Sequence, residues 1–230
     1  MLQLENICIR QDDFTLTADW SLPQGAKATV IGPSGAGKST LLNAIAGFVP
    51  HAGRVVFSGR DMTGLRPAER GMAMLFQDGN LFPHLTLLQN VGLGIAGQLR
   101  LTSAAVETAR TALARTGLAG FEHRKPGDVS GGQQGRAALA RVLVQQQKLL
   151  LLDEPFAALG PALRAEMLDL TADLAAETGA TLLMVTHAPA DVARIGGHVI
   201  FVDGGKAHPP EEADALMANP PEALRAYLGY

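Results

Sequence analysis

One nine-residue run limits the folds open to this chain: Gly32-Pro33-Ser34-Gly35-Ala36-Gly37-Lys38-Ser39-Thr40, of the form G-x-x-x-x-G-K-[ST]. The glycines let successive backbone N–H groups turn inward as an anion cradle, in conformations that a Cβ resists. Lys38 brings a mobile positive charge suited to β- and γ-phosphates, and the Ser39 hydroxyl suits a Mg2+ ion. Such a loop needs a strand before it and a helix after it. Lys27 to Ile31 is an apolar run that reads as a buried strand. Ser39 to Ala46 reads as a helix whose N-terminal dipole faces the phosphates. The expectation is a nucleoside-triphosphate site built from Gly32 through Thr40.

The rest of the chain fits an α/β architecture around that loop. Leu2 to Arg10 and Phe14 to Leu22 alternate apolar and polar residues and predict antiparallel strands. Short strands are expected at Arg54 to Phe57 and Met72 to Phe76, and later at Leu149 to Leu152, Thr181 to Val185 and Val199 to Val202. Between Thr86 and Gln147 the strand pattern stops, and helical spacing marks Ser103 to Thr116 and Gly131 to Gln146. Further helices are expected at Pro161 to Glu177 and Ala190 to Ile195. Alternating strands and helices imply a largely parallel sheet with right-handed crossovers. The predicted fold is therefore a P-loop NTPase core with an N-terminal antiparallel β subdomain and an inserted helical subdomain. The expected division is 1–85 and 148–230 for the core and 86–147 for the helices. Pro209-Pro210 and Pro220-Pro221 read as punctuation in a short C-terminal tail.

Composition narrows the setting. The chain has 230 residues, 47% of them hydrophobic and 18% charged, enough for one globular α/β domain without extensive disorder. A formal net charge of -3 argues against nucleic acid as a partner. The single cysteine, Cys8, allows no intrachain disulfide and fits a reducing compartment, where strand packing is its expected role. The first residues lack a basic start and apolar run, so no signal peptide is expected, and no apolar stretch is long enough to span a bilayer. Any membrane association is expected to be peripheral.

Two carboxylates end an apolar strand in Leu149-Leu-Leu-Leu-Asp153-Glu154-Pro155. A buried strand should not end in charges unless something compensates them, and a Mg2+ held near the phosphate loop would do so. Asp153 is the expected metal partner beside Ser39, and Glu154 the expected general base for an attacking water. Val129-Ser130-Gly131-Gly132-Gln133 opens a helix with small residues, which exposes a second set of amides fit for an anion. One phosphate loop does not need two cradles in the same chain, so Ser130, Gly131, Gly132 and Gln133 are expected to serve the nucleotide of a facing subunit. Gln77 follows a strand and is expected at the Mg2+ or the lytic water; His187 follows another and is expected at the γ-phosphate. His51, His84, His123, His198 and His208 have no ligand-like spacing, and no structural metal site is expected from them.

Taken in order, GPSGAGKST, Gln77, VSGGQ, LLLLDEP and VTH resemble the ATP-binding subunits of ABC transporters over nearly the whole chain. The resemblance implies ATP and Mg2+ as cofactors and a head-to-tail homodimer with two ATP molecules at its interface. Each ATP would lie between the Lys38 loop of one copy and the Ser130 segment of the other. It also implies a transmembrane permease as partner, a periplasmic substrate-binding protein reached through it, and a place on the cytoplasmic face of the inner membrane. The run from Met74 to Gly94, with Ala46-Gly-Phe48, Asp153-Glu-Pro-Phe-Ala-Ala and Leu182-Leu-Met-Val-Thr-His187, is most similar to subunits of thiamine importers. Importers of ferric iron, polyamines and sulfate share much of this pattern and stand as alternatives, as does a soluble ATPase or nucleotide sensor of the same superfamily.

Three positions depart from the family pattern. Gln11 stands where an aromatic residue usually stacks on adenine, and Phe14 nearby is expected to pack in the core. Gly160 stands where the loop after Glu154 usually ends in Asp. Gly135 is expected to weaken the start of its helix by roughly 1 kcal/mol relative to Ala. Lys38, Asp153 and Glu154 are all retained, so the expectation is an active ATPase.

Overall fold

The computed structural model describes residues 1–77 and 80–229. Asp78 and Gly79, part of the importer-like run from Met74, lie outside the described residues, as does Tyr230. Leu2–Gln11 (β1) and Phe14–Leu22 (β2) form an antiparallel hairpin. Apolar residues in β1 fall at 2, 4, 7 and 9, so the alternation breaks once. The structure absorbs the break with a register shift between Leu4 and Ile7, and Asn6 takes φ 51° there. An extra residue of this kind returns Ile7 and Ile9 to the core face shared by Leu2 and Leu4. Ala52–Phe57 (β4) pairs with the other edge of β1 and hairpins back into Arg60–Asp61 (β5).

Lys27–Ile31 (β3) is the centre of the parallel region. It lies between Thr181–Val185 (β8) and His198–Asp203 (β9), and β8 continues to Leu149–Asp153 (β7) and Ala73–Leu75 (β6), all parallel. The expected separate N-terminal sheet is continuous with this one. Lys206–Ala207 (β10) pairs parallel with β2 and antiparallel with β9, joining both regions in the order β5-β4-β1-β2-β10-β9-β3-β8-β7-β6. Glu211–Glu212 (β11) adds to β9 off that path. Because β3, β7 and β8 run parallel and in register, their C-terminal ends deliver Gly32, Asp153 and Thr186 to one edge of the sheet.

The helix after the phosphate loop spans Lys38–Ala46 (α1) and packs Leu41, Leu42 and Ile45 into the core beneath β3. Leu87–Ala96 (α2), Ser103–Arg115 (α3) and Gly131–Leu143 (α4) form their own apolar cluster around Leu87, Val91, Leu113 and Ala137. Helix α2 was not expected from the sequence, since Gly92 and Gly94 lower its helical propensity. Its start is nevertheless fixed by a capping box: Gln89 N–H donates to Thr86 Oγ1 at 3.2 Å, and Thr86 N–H to Gln89 Oε1 at 2.9 Å. A Cβ on Gly94 would lie 2.5 Å from Arg141 O, so glycine is what lets α2 approach α4. Buried Asn90 holds the preceding loop, accepting from Phe82 N–H at 2.7 Å and donating to Phe82 O at 3.1 Å and Thr86 O at 3.0 Å.

Pro161–Thr178 (α5) and Pro189–Ile195 (α6) complete the crossovers. The C-terminal segment is more than the tail expected from its prolines. It folds as Ala213–Ala218 (α7) and Glu222–Leu228 (α8), with Leu216 and Leu224 buried against Ile31, Val192 and Phe201. Pro221 is the N-cap of α8, where its fixed φ favours a helix start and no N–H is missed. Among the described residues, no helix is long and apolar enough to cross a membrane.

Strand β7 carries the weight of this arrangement, because Leu151 is fully buried between two neighbouring strands just before Asp153. Leu151→Ala should destabilise the protein by about 2–5 kcal/mol in urea unfolding, by the transfer and cavity costs of a truncated core leucine. A loss under 1 kcal/mol would show that the strand is not tightly packed there.

Candidate active site

The loop between β3 and α1 wraps an open cavity of about 360 Å3. Its walls are Ser34, Gly35, Gly37, Lys38, Ser39 and Thr40 from the loop, Glu154 and His187 from the ends of β7 and β8, and Gln11 and Phe14 from the first hairpin. Gly37 is the N-cap of α1 at φ 97°, and a Cβ there would lie 2.5 Å from Phe14 Cζ. The loop can therefore turn into the helix only with glycine at this position. Phe14 was expected to serve the core, and it does pack against the main apolar cluster, but its ring also lines the cavity beside Gln11.

Lys38 is almost fully buried, and its Nζ donates to Gly32 O and Pro33 O, both at 2.8 Å. Burial pulls its pKa down, while the charges of Glu154 and Asp153 pull it up. Two loop carbonyls thus hold the ammonium in readiness. Ser39 Oγ donates to Asp153 Oδ1 at 2.9 Å, which brings together the hydroxyl and carboxylate expected to share a metal. Burial raises the Asp153 pKa above the ordinary carboxylate value; Glu154 adds to the rise, and Ser39, Lys38 and His187 oppose it.

Glu154 adopts φ 47°, uncommon for a residue with a Cβ, and its N–H donates to Val185 O at 3.2 Å. This turn takes the chain out of β7 and aims the carboxylate back at the cavity, where Glu154 Oε1 lies 2.5 Å from His187 Nε2. Behind the pair sits a network the sequence reading missed. Arg164 on α5 grips Asp191 on α6 in a fork, Nε to Oδ1 at 3.0 Å and Nη2 to Oδ2 at 2.5 Å. Thr186 Oγ1 also donates to Asp191, accepts from Arg164 Nη2 at 3.2 Å, and accepts from Ala188 N–H at 3.1 Å. The fork fixes the first turns of two helices to the loop bearing His187. Nothing in residue spacing announces it, because Arg164 and Asp191 belong to different crossovers.

The other expected residues lie elsewhere. Gln77 is exposed in the turn after β6 and is not among the residues lining the cavity. Ser130 and Gly131 are exposed at the start of α4 and also stand outside it. Ser130 is the N-cap, and Gln133 completes a capping box with it: Ser130 N–H donates to Gln133 Oε1 at 2.8 Å, and Gln133 N–H to Ser130 Oγ at 3.3 Å. The Gln133 side chain is thus engaged locally, while the first-turn amides of Gly131 and Gly132 belong to the set no helix can satisfy internally. A Cβ on Gly135 would meet nothing nearer than Pro155 O at 3.6 Å, so that glycine is not required by crowding. Gly160 caps α5 with no side-chain bond, and a Cβ placed there would meet nothing within 4 Å.

A carboxyl whose folded pKa is raised stabilises the fold fully only below its unfolded pKa of about 3.9, and that stability is lost as pH rises through the folded value. At neutral pH, ionised Asp153 therefore strains the nucleotide-free protein. Asp153→Asn should raise its thermal unfolding midpoint at pH 7 to 8, and the gap from wild type should close as pH falls. A variant less stable than wild type across that range would contradict this.

The chain matches the family described as ABC transporter over residues 16–157. It is similar over its full length to the thiamine import ATP-binding protein ThiQ of Ruegeria sp. (strain TM1040), with 58% identity over 230 residues, 100% of both chains. The protein of that name from Cereibacter sphaeroides is also 58% identical over 100% of both chains, and that of Mesorhizobium japonicum 49% over 99% of this chain and 91% of its own. Among solved structures, the dimeric ATP-binding cassette MJ0796 in a post-hydrolysis state with ADP and Pi superposes with a TM-score of 0.82 at 30% identity, covering 93% of this chain and 99% of that one. The same figures hold for the structure described as a dimeric bacterial ABC transporter cassette. With a phosphate loop, a strand-end carboxylate pair and these relatives in agreement, the chain belongs to the ABC transporter family as an ATP-binding subunit.

Proposed function

We propose that this protein hydrolyses ATP to drive uptake of a small nutrient, thiamine, through a membrane permease. The observation that carries the hydrolytic reading is the convergence of Lys38, Ser39, Glu154 and His187 on one cavity, with Asp153 bonded to Ser39. The solute rests on the importer names of full-length relatives at 58% identity. The triphosphate lies in the loop, its oxygens facing the α1 amides and Lys38. Ser39 and Asp153 form a hydroxyl and carboxylate pair that suits a hard divalent cation, and the buried Asp153 charge calls for one. Mg2+ bound there would supply neutralising charge to the β- and γ-phosphates.

Glu154 then takes a proton from a water as its oxygen attacks the γ-phosphorus, and the bond from that phosphorus to the bridging oxygen breaks to leave ADP. His187 holds the Glu154 carboxylate through its Nε2. Gln11 offers no ring to the adenine; Phe14, whose ring lines the cavity beside Gly37, takes that role.

One chain presents only half of the enclosure. Ser130 and Gly131 sit exposed, outside the lining of their own cavity, and fit a second copy placed head to tail; the similar MJ0796 cassettes are described as dimeric. The body of α4 joins this exposed end to the core, since Leu139 and Val142 pack with Leu150 and Leu152 of β7. Residues 86–147 thereby form a helical subdomain able to pass motion at the ATP to the permease. A periplasmic substrate-binding protein, reached through the permease, and attachment at the cytoplasmic face of the inner membrane complete the assignment.

Glu154→Gln tests the reading directly. It should keep MgATP affinity within about threefold, accumulate a stable dimer and lose at least about 100-fold in kcat, as expected for removal of a general base. The checks are phosphate release from the assembled transporter and dimer mass with MgATP. Near-normal turnover would remove Glu154 from the base role.

A further inference from the structure

The C-terminal helix α8 reaches the active site through one side chain. Leu224 is fully buried and seats the helix against Ile31, the residue before the phosphate loop, and against Val192 and Phe201. One turn on, the Tyr227 ring lies 6.4 Å from the Phe201 ring, tilted at 47°. Its hydroxyl donates to the backbone oxygen of His187 at 3.3 Å. The phenol oxygen therefore bridges α8, which is seated against the residue before the phosphate loop, to the residue whose imidazole touches Glu154.

That bridge matters because of what else holds His187. It sits between β8, which ends at Val185, and α6, which begins at Pro189. Helix α6 has no side-chain cap at Ala188. Asp191, Arg164 and Thr186 fix the residues on either side, through Thr186 Oγ1 and the Ala188 N–H, but the peptide of His187 itself turns outward to α8. Burial pushes the Tyr227 phenol pKa up, and the negative charge of Glu154 adds to that. The group stays protonated through neutral pH and keeps its proton available to the carbonyl.

We propose that Tyr227 is a positioning residue for ATP hydrolysis: its hydroxyl pins the His187 backbone to α8, which Leu224 seats against the residue before the phosphate loop, and so holds the imidazole against Glu154. The proposal rests on the reading of Glu154 and His187 as the hydrolytic pair. It extends the active site to a segment some 40 residues beyond His187, at the far end of the chain. Tyr227 is not among the residues lining the nucleotide cavity, so its effect should fall on turnover and not on binding.

Tyr227→Phe removes only the oxygen and leaves the ring that packs near Phe201. In the assembled transporter it should lower kcat roughly three- to tenfold, the kinetic equivalent of one hydrogen bond lost from the aligned state. The KM for MgATP and the affinity measured by calorimetry should stay within about twofold, and the unfolding midpoint within about 2 °C, as for a change confined to alignment. Introduced into His187→Ala, whose residual rate is read by single-turnover phosphate release, the same change should have no further effect. An unchanged kcat in Tyr227→Phe, an equal loss in both backgrounds, or a fall in kcat tracked by KM and midpoint would each overturn the proposal. Full turnover in His187→Ala would instead remove the hydrolytic pair on which it rests.

Discussion

Everything at this site follows from a carboxylate held where water is scarce. Asp153 ends a strand of four leucines and is almost fully buried; burial and Glu154 oppose its charge more than the Ser39 hydroxyl, the nearby Lys38 charge and His187 offset it. A protein interior tolerates such a group when a ligand completes it. The phosphate loop shows the same demand from the other side, since the buried Lys38 ammonium is held by two carbonyls of its own loop. The nucleotide-free protein therefore stores two imperfectly satisfied charges, and Mg-nucleotide is the partner that suits both.

The parallel sheet is what makes this proximity possible. Strands β3, β7 and β8 are adjacent and in register, so their ends place a glycine loop, two carboxylates and a histidine side by side without any long-range search. The fork from Arg164 to Asp191 then ties the helices that follow β7 and β8 to one another. Function beyond binding comes from what the sheet edge omits. The exposed amides that open α4 lie outside their own cavity, while the body of α4 is rooted in the leucines of β7. A second copy closing over the nucleotide would thus push on the strand that bears Asp153 and on the helices packed around α4.

Much of this was legible in the residues because local chemistry dictated it. The loop, the strand-end carboxylates and the helix-opening Ser-Gly-Gly are short motifs whose spacing has a direct physical meaning, and the parallel strands are apolar runs of plain length. What escaped was set by tertiary packing. Helix α2 hides behind two glycines that serve its approach to α4. The C-terminal helices hide behind prolines that start a helix as readily as they break one. Phe14 looked like a core residue by alternation and is one, yet the turn at Gly37 brings its ring to the cavity as well. Gln77 followed a strand as expected but faces solvent in the described chain. The Arg164 fork and the Tyr227 bridge join residues far apart in sequence, which no periodicity records.

The central claim is that one copy's phosphate loop and another copy's Ser130 segment enclose the same triphosphate. Thiol cross-linking reads that geometry without relying on turnover. In a Cys8→Ser background, Ser34→Cys in one copy and Gly131→Cys in the other give two exposed thiols for a short bifunctional maleimide. The account predicts a product of two chains whose yield rises sharply with MgATP and falls again with ADP. A yield indifferent to nucleotide would contradict it.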